Sequence, residues 1–524
     1  MQDFVTNLDA PLLRLPSGDD WTLADACQGT VMFGATGAGK TSGSGSLLAS
    51  TFLRSGMGGL VLVAKPDEGD RWEEYASRAG RAQAIARVRP GTPWRLNILD
   101  YVLAKDGLQA SQVAVDVLMR IVEASRLSKD RPGDSGAQFW EDSTRQLIGN
   151  TLPVLYSALG SITMADLYRF ISSAPASPAQ AEDVKWQKES FFFQTMVKAF
   201  KEPVHALSDH DLGTVAAYWR FDFAQLNGET KSNIVITVTS MLSRFLKGRL
   251  HDMFCTHTTF VPEMAFNGAI IVLDLPVKQY DSDGVIAAHL VKYLMQRAIE
   301  ARAVPGAGPM RPIFIWADEG QLFLNSYDPE FQSTARSSRA CTVYLTQSLP
   351  GLYARMGGAH PQHYADMLLS NFVTKIFHSN GCKVTNQWAA ETLGQRLVRR
   401  RTGGHSTSSA ENVGWNEGKN ENQGVNYSHG SSSGQHYAYN SGSGSSKGTG
   451  DSRGRSGGET FSEQENDGWS EQLDWKIRPE QFSSHLRTGG KANGGFVDAI
   501  WHQSGRLFRN TGATWTLVNF KQGA

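Results

Sequence analysis

Two hydrophobic rhythms alternate along the chain. Short unbroken apolar runs, bounded by Gly, Pro or acidic residues, predict strands buried on both faces. They are Thr30-Val-Met-Phe33, Gly58-Gly-Leu-Val-Leu-Val-Ala64, Gly268-Ala-Ile-Ile-Val-Leu-Asp-Leu-Pro276, Arg311-Pro-Ile-Phe-Ile-Trp-Ala317, Cys341-Thr-Val-Tyr-Leu345 and Phe372-Val-Thr-Lys-Ile-Phe377. Elsewhere apolar residues recur at steps of three and four, the spacing of one helix face. Leu47, Leu48, Thr51, Phe52 and Leu53 do so directly after the first strand. Residues 112–124 carry Val113, Val115, Val117, Leu118, Ile121 and Val122, and residues 139–159 carry Leu147, Ile148, Leu152 and Leu155. In the latter, Glu141 stands four residues before Arg145, and Pro153 is expected to kink or divide the helix. Further helices are predicted over 164–171, 186–201, 211–226, 233–250 and 285–303.

The ends have their own texture. Leu12-Leu-Arg-Leu15, a turn at Pro16-Ser-Gly-Asp-Asp20 and Trp21-Thr-Leu23 form a β-rich lead-in. Arg396, Arg399, Arg400 and Arg401 open a Ser/Gly/Asn-rich segment without hydrophobic period. Such a segment cannot offset its ordering entropy and reads as a flexible loop. Strand texture returns at residues 495–501, 506–508 and 514–518.

Composition narrows the class. The chain of 524 residues suffices for roughly three domains. Lys+Arg and Asp+Glu are both 51, so no global basic field argues for nucleic acid, and any such contact must come from local groups such as the Arg396–401 cluster. Cys27, Cys255, Cys341 and Cys382 lack metal spacing and suit a reducing compartment. No apolar run reaches membrane-spanning length and Met1-Gln-Asp-Phe4 begins no signal peptide, so the expectation is a cytoplasmic protein. His205, Asp209, His210 and Asp211 lack a second ligand cluster, and are expected to form a helix-entry turn capped by Asp rather than a metal site.

The chemistry concentrates in one stretch. Gly34, Ala35, Thr36, Gly37, Ala38, Gly39, Lys40, Thr41 and Ser42 contain G-x-x-x-x-G-K-T between a strand and a helix, the P-loop order. Residues without bulk let the backbone N–H groups wrap a polyphosphate, and the helix points its positive end at the anion. Lys40 would reach the β- and γ-phosphates of ATP and the Thr41 hydroxyl would ligate Mg²⁺. Asp318 and Glu319 end an apolar strand expected beside the P-loop strand, Asp318 facing the Mg²⁺ shell and Glu319 polarising the attacking water. Gln347, at the end of the next strand, is placed to sense the γ-phosphate. Lys65-Pro-Asp-Glu68 ends the second strand, so its charges either touch the site or are a solvated strand end. Together these define an α/β fold: a RecA-like P-loop NTPase core with a central, mainly parallel sheet, an inserted all-α domain and a disordered Ser/Gly-rich loop. The expected division is 1–104 and 231–401 for the two parts of the core, 105–230 for the helical insert, 402–472 for the loop, and 473–524 for strands returning to the core.

GATGAGKTSG, IFIWADEGQLF, TARSSRACTVYLTQS and LLSNFVTKIF resemble the conjugative coupling ATPases of type IV secretion systems (the TraG/TraD type), relatives of the FtsK/HerA DNA-pumping ATPases. The resemblance covers most of the chain outside the Ser/Gly segment, and the helical insert is similar to the all-α domain of coupling proteins. It implies Lys40 and Thr41 on phosphates and Mg²⁺, Asp318 and Glu319 as acidic pair, and Gln347 as sensor. It also implies an arginine given to the neighbouring subunit's ATP, here Arg336 with Arg339 as the alternative, and hence a ring, a homo-hexamer. DNA, single- or double-stranded, is the implied substrate, and relaxase or secretion-apparatus proteins the implied partners, with docking at the inner membrane through them. Membrane-spanning helices typical of the group's amino terminus are not seen in this sequence. The leading expectation is a DNA or nucleoprotein motor. The alternatives are an ATP-gated recruitment platform for relaxase or effector proteins and a P-loop kinase or defence ATPase; no arginine lid for a kinase is visible, and Glu319 favours hydrolysis.

Overall fold

The computed structural model describes residues 4–127, 137–302, 309–356, 360–412, 420–432, 438–450 and 458–522. It divides into two compact units, residues 1–385 with 483–524, and residues 386–482.

The first unit is built on a nine-stranded sheet. Its strands are β1 (Thr30–Phe33), β2 (Gly58–Leu62), β3 (Ile85–Val88), β4 (Ile270–Leu273), β5 (Ile313–Ala317), β6 (Ala340–Thr346), β7 (Thr374–His378), β8 (Phe496–Gln503) and β9 (Trp515–Lys521). Their spatial order is β9-β8-β7-β1-β6-β5-β2-β4-β3. Every pairing is parallel except the two made by β8. The predicted α/β core with a mainly parallel sheet is therefore present. Register aligns Phe33 with Thr346 and Phe377, and Ala317 with Leu62. The carboxyl ends of β1, β2, β5, β6 and β7 thus share one edge, where open α/β sheets bind ligands. The acid-bearing strand does not lie beside β1 as expected, because β6 intervenes. Apolar pattern specifies that a strand is buried, not its neighbour.

One face of the sheet is closed by Trp21, Leu48, Phe52, Trp72, Phe314, Trp316, Val497, Trp501 and Phe520, which share one apolar cluster. Burying each such side chain contributes about 1.5–3 kcal/mol. The helix α1 (Ser46–Arg54) supplies Leu48 and Phe52, and α2 (Glu68–Arg78) supplies Trp72. Sequence pattern missed α2, whose buried side is only Glu68, Gly69, Trp72 and Ala76, and missed β3, an edge strand interrupted by Arg87.

Among the described residues no strand occurs between β3 and β4; that span is helical. The helix α3 (Ser111–Leu127) and α4 (Ala137–Leu159) lead it. Pro153 lies inside α4 without dividing it, its neighbours Leu152, Val154 and Leu155 being fully buried. The helix predicted over 186–201 is two, Val184–Glu189 and Phe191–Lys201, because the Ser190 hydroxyl accepts from Phe193 N and caps the second. The one predicted over 233–250 divides into Gly228–Ser243 and Gly248–Phe254, with Gly248 at φ 71°. The turn at 205–211 is capped by Ser208, not Asp, with Asp209 and Asp211 in the helix's first turn. The helix α5 (Val277–Ala301) starts earlier than predicted and is interrupted at Asp281, φ 46°. It packs on α3. Among the described residues no single helix is long and apolar enough to cross a membrane; Phe139–Leu159 and Met164–Ser172 reach that length only as a pair bent by 112°.

In the second unit, Gln395–Asn412 pairs antiparallel with Gly458–Trp475, and Asn420–Ser432 with Ala438–Gly450. These pairings fall within the segment 402–472 expected as a low-complexity loop and at its borders. The rest of that segment, 413–419, 433–437 and 451–457, lies outside the described residues. Arg399 pairs with Glu471 at 2.6 Å and Arg400 with Asp474 at 3.4 Å, so these members of the arginine cluster have acidic partners on the opposite strand.

Candidate active site

The P-loop is shaped by the strands around it. Gly34 N donates to Thr346 O at 3.3 Å and Ala35 N to Ser379 O at 2.9 Å, tying its start to the ends of β6 and β7. Gly37 and Gly39 then take φ of 78° and 84°, the left-handed region where only glycine is at ease. A Cβ on Gly34 would stand 2.7 Å from His378 Cβ, and one on Gly39 2.5 Å from Val497 Cγ2. Glycine is therefore required both by backbone angle and by the closeness of β7 and β8. Thr36 and Gly37 are exposed at the tip, while Ala38, Gly39 and Lys40 are buried. The first turn after Lys40, Thr41–Gly45, is π-helical, with Gly45 N donating to Lys40 O at 2.7 Å. Such turns are frequent at functional sites.

Lys40 folds its ammonium back onto Gly34 O at 2.5 Å and Ala35 O at 3.1 Å. Burial lowers its pKa, opposed by the charges of Asp318 and Glu319. A buried lysine held by carbonyls inside a glycine-shaped turn suits an anionic ligand. The Thr41 hydroxyl donates to Asp318 Oδ2 at 2.8 Å, so the two residues expected at Mg²⁺ are brought together although one strand separates β1 from β5. The donor set of a hydroxyl and a carboxylate, leaving most positions to water and phosphate, fits Mg²⁺ chemistry.

Glu319 has φ 55° and ψ 49°, a left-handed conformation costing a non-glycine residue of order 1–3 kcal/mol. It aims the carboxylate at three donors. Lys65 Nζ lies 3.0 Å from Oε1, Gln321 Nε2 donates to Oε2 at 2.8 Å, and Gln347 Nε2 contacts both oxygens at 3.1 and 3.0 Å. Burial opposes ionisation, but the bonds from Gln321, Lys65 and Gln347 prevail and hold the Glu319 pKa below the usual carboxylate value. Gln347 thus meets the Glu319 carboxylate directly. Gln321 was missed from sequence, being two residues past an acid on a short 3₁₀ turn that no periodicity marks.

Of the two readings left open for 65–68, the structure places Lys65 and Glu68 at the site, while Asp67 faces Arg71 on the outside. The Glu68 carboxylate accepts from Ala64 N at 2.7 Å; its other oxygen is buried without a partner among the described residues. With Thr41, Trp72, Tyr75 and Asp318 it lines a narrow cavity. Burial and the charge of Asp318 push its pKa up to about 8. His378 was also missed. Its Nε2 lies 2.7 Å from Ser44 Oγ, and burial with the nearby Lys40 charge lowers its pKa to about 3, so it braces the P-loop as a neutral ring.

The arginines lie elsewhere. Both precede β6, at the opposite end of the strand from Gln347. Arg339 has φ 54° and donates to Thr6 O at 2.8 Å. Arg336 is exposed, and its guanidinium makes no hydrogen bond or ion pair among the described residues.

Fold and site together define a RecA-like P-loop protein whose strand ends gather a glycine-shaped turn, Lys40, Thr41 and the acids Asp318 and Glu319. The family model described as the TraM recognition site of TraD and TraG matches residues 314–457, and the resemblance to TraG/TraD-type coupling ATPases drawn from the motifs holds. No curated protein matches the sequence. Among solved structures, the bacterial conjugative coupling protein TrwBdeltaN70 in an unbound form is 13% identical, with 99% of this chain and 91% of that chain covered and a TM-score of 0.54, so the fold is shared. TrwB with a non-hydrolysable ATP analogue is 16% identical over 75% of this chain and 81% of that one, TM-score 0.49. VirB4 of Thermoanaerobacter pseudethanolicus is 14% identical over 76% and 94%, TM-score 0.40.

Proposed function

We propose that the chain is an ATP-hydrolysing coupling ATPase that drives or gates the passage of DNA, or of nucleoprotein, in conjugative transfer or type IV secretion. The observation that carries this reading is the 2.8 Å contact of Thr41 with Asp318 beside a Glu319 already bonded to Gln347, on a coupling-protein fold. Residues 37–42 would hold the phosphates, and Thr41 with Asp318 would hold Mg²⁺. When bound, Mg²⁺ would neutralise charge on the β- and γ-phosphate oxygens. Lys40 exchanges its carbonyl partners for phosphate oxygens. Glu319, ionised, orients and deprotonates a water, and Gln347 links that carboxylate to the state of the site. Arg336, exposed and without a guanidinium partner among the described residues, is on this reading the finger offered to a neighbour in a ring, and it is favoured over the tied Arg339. The test is ATP turnover with and without single- and double-stranded DNA on a size-fractionated sample. The reading expects DNA to raise the rate in a ring-sized fraction; no ATP turnover in any fraction would overturn it.

A second reading, an ATP-gated recruitment platform, is favoured by the match of 314–457 to a partner-recognition model. It expects turnover unaffected by DNA and changed by a relaxosome protein.

A further inference from the structure

The catalytic groups lie on one flank of the P-loop strand. β6 and β5, which carry Gln347, Asp318 and Glu319, follow β1 on that side, and β7, β8 and β9 follow on the other. A triphosphate with its terminal phosphate at the acids must run along the P-loop away from them, so its nucleoside leaves toward the second flank. There the carboxyl-terminal hairpin presses on the P-loop. Val497 closes on Gly39, and a Cβ on Gly43 would stand 3.3 Å from Phe520 Cβ. Two residues beyond Phe520, just past the end of β9, Gln522 Nε2 donates to Ser42 Oγ at 2.7 Å. Its Oε1 accepts from Gly490 N at 2.7 Å, and its backbone N donates to Gly495 O at 2.8 Å.

We infer that this corner, the turn 489–495 with Gln522, receives the ribose and base of the nucleotide, an inference that rests on the nucleotide reading above. Ser42 is the last P-loop residue and is exposed, so the corner opens to solvent where the α-phosphate end would emerge. The turn is built around the Gln522 amide. Gly489, Gly490, Gly494 and Gly495 all have positive φ, and a Cβ on Gly489 would stand 2.4 Å from Gln522 Oε1. The amide uses one N–H and one lone pair on Ser42 and Gly490, leaving one donor and one acceptor site. A neutral group that both donates and accepts suits hydroxyls of a ribose or the edge of a purine and adds no charge beside the phosphates. Gln522 is thus a nucleoside-side residue, separate from the groups that hold phosphate.

The test compares affinities of the full chain, with Mg²⁺, for ATP, GTP and inorganic triphosphate by calorimetry. Gln522→Ala should weaken ATP or GTP roughly tenfold, the worth of one or two hydrogen bonds, with triphosphate unchanged. Gln522→Leu, which keeps the side-chain bulk, should show the same selective loss if the alanine variant proves unstable. Equal weakening of triphosphate and nucleotides would make Gln522 a mere brace of the P-loop, and unchanged nucleotide affinity would exclude the corner; either overturns the inference. Lys40→Ala should weaken all three ligands together. Wild-type protein binding none of them would remove the nucleotide reading, and this inference with it.

Discussion

Glu319 concentrates the site's physics in one residue. Its left-handed backbone is retained because Lys65, Gln321 and Gln347 all converge on its carboxylate. Glu319→Gln should preserve ATP binding and lower turnover by about 10²–10⁴, the usual worth of a positioned base, measured by single-turnover hydrolysis beside a binding titration. Lys65→Ala acts on the pKa. Lys65 helps hold the Glu319 pKa below its ordinary value, so losing it raises that pKa, and the acidic limb of the rate–pH profile should move to higher pH. Glu68 runs the other way. Its pKa rises from 4.5 unfolded to about 8 folded, so its contribution to stability is full below 4.5 and is lost as pH rises through about 8. In Mg²⁺-free protein, Glu68→Gln should therefore gain melting temperature over the parent at pH 9 more than at pH 5; an equal change at both would contradict the assignment.

At the scale of elements, the loops after β1 and β5 are shaped by what lies behind them. Gly39 is constrained twice, by φ of 84° and by Val497. Gly39→Ala should abolish nucleotide binding, and adding Val497→Ala should restore only part of it, since the contact is relieved but the backbone strain remains. The loop beyond Glu319 is pinned to α5 by a buried pair: Lys292 Nζ lies 2.6 Å from Asp328 Oδ2, while Gln296 and Tyr344 donate to Oδ1 at 2.8 and 3.2 Å. Breaking a buried pair from one side leaves a charge unsatisfied, so Asp328→Ala should cost about 3–5 kcal/mol in denaturant unfolding. The same loop meets α3, where Ser326 N donates to Glu123 at 3.2 Å and Arg120 donates to Ser326 Oγ at 2.9 Å. The helical region and the segment following Asp318 and Glu319 are thereby joined through residues 320–328.

At the scale of the whole molecule, Arg336 and Gln347 stand at opposite ends of β6. Seven strand residues span roughly 23 Å, too far for Arg336 to reach the site of its own chain. On the proposed reading it acts on a neighbour. Arg336→Ala and Lys40→Ala should each be inactive alone, yet a mixture should regain part of the ATP turnover, rising with protein concentration. No recovery in proven mixed oligomers, with recovery from the corresponding Arg339→Ala mixture, would transfer the role to Arg339.

Much of this was legible in the chain because it is local. Gly34 to Thr41 announce a phosphate loop through residue type and spacing, and apolar runs ending in Asp318-Glu319 or Gln347 announce buried strands with polar ends. Those properties depend on backbone sterics and a strand's two-sided burial, which neighbours in sequence suffice to set. What needed the tertiary structure is everything set by strand order and by contacts distant along the chain: β6 between β1 and β5, Lys65 rather than Asp67 at Glu319, neutral His378 beneath Ser44, and a hairpin from the far end of the chain closing on Gly39 and Ser42. A side chain's role there follows from its partners across the sheet, and a parallel sheet is assembled from strands whose order hydrophobic pattern does not encode.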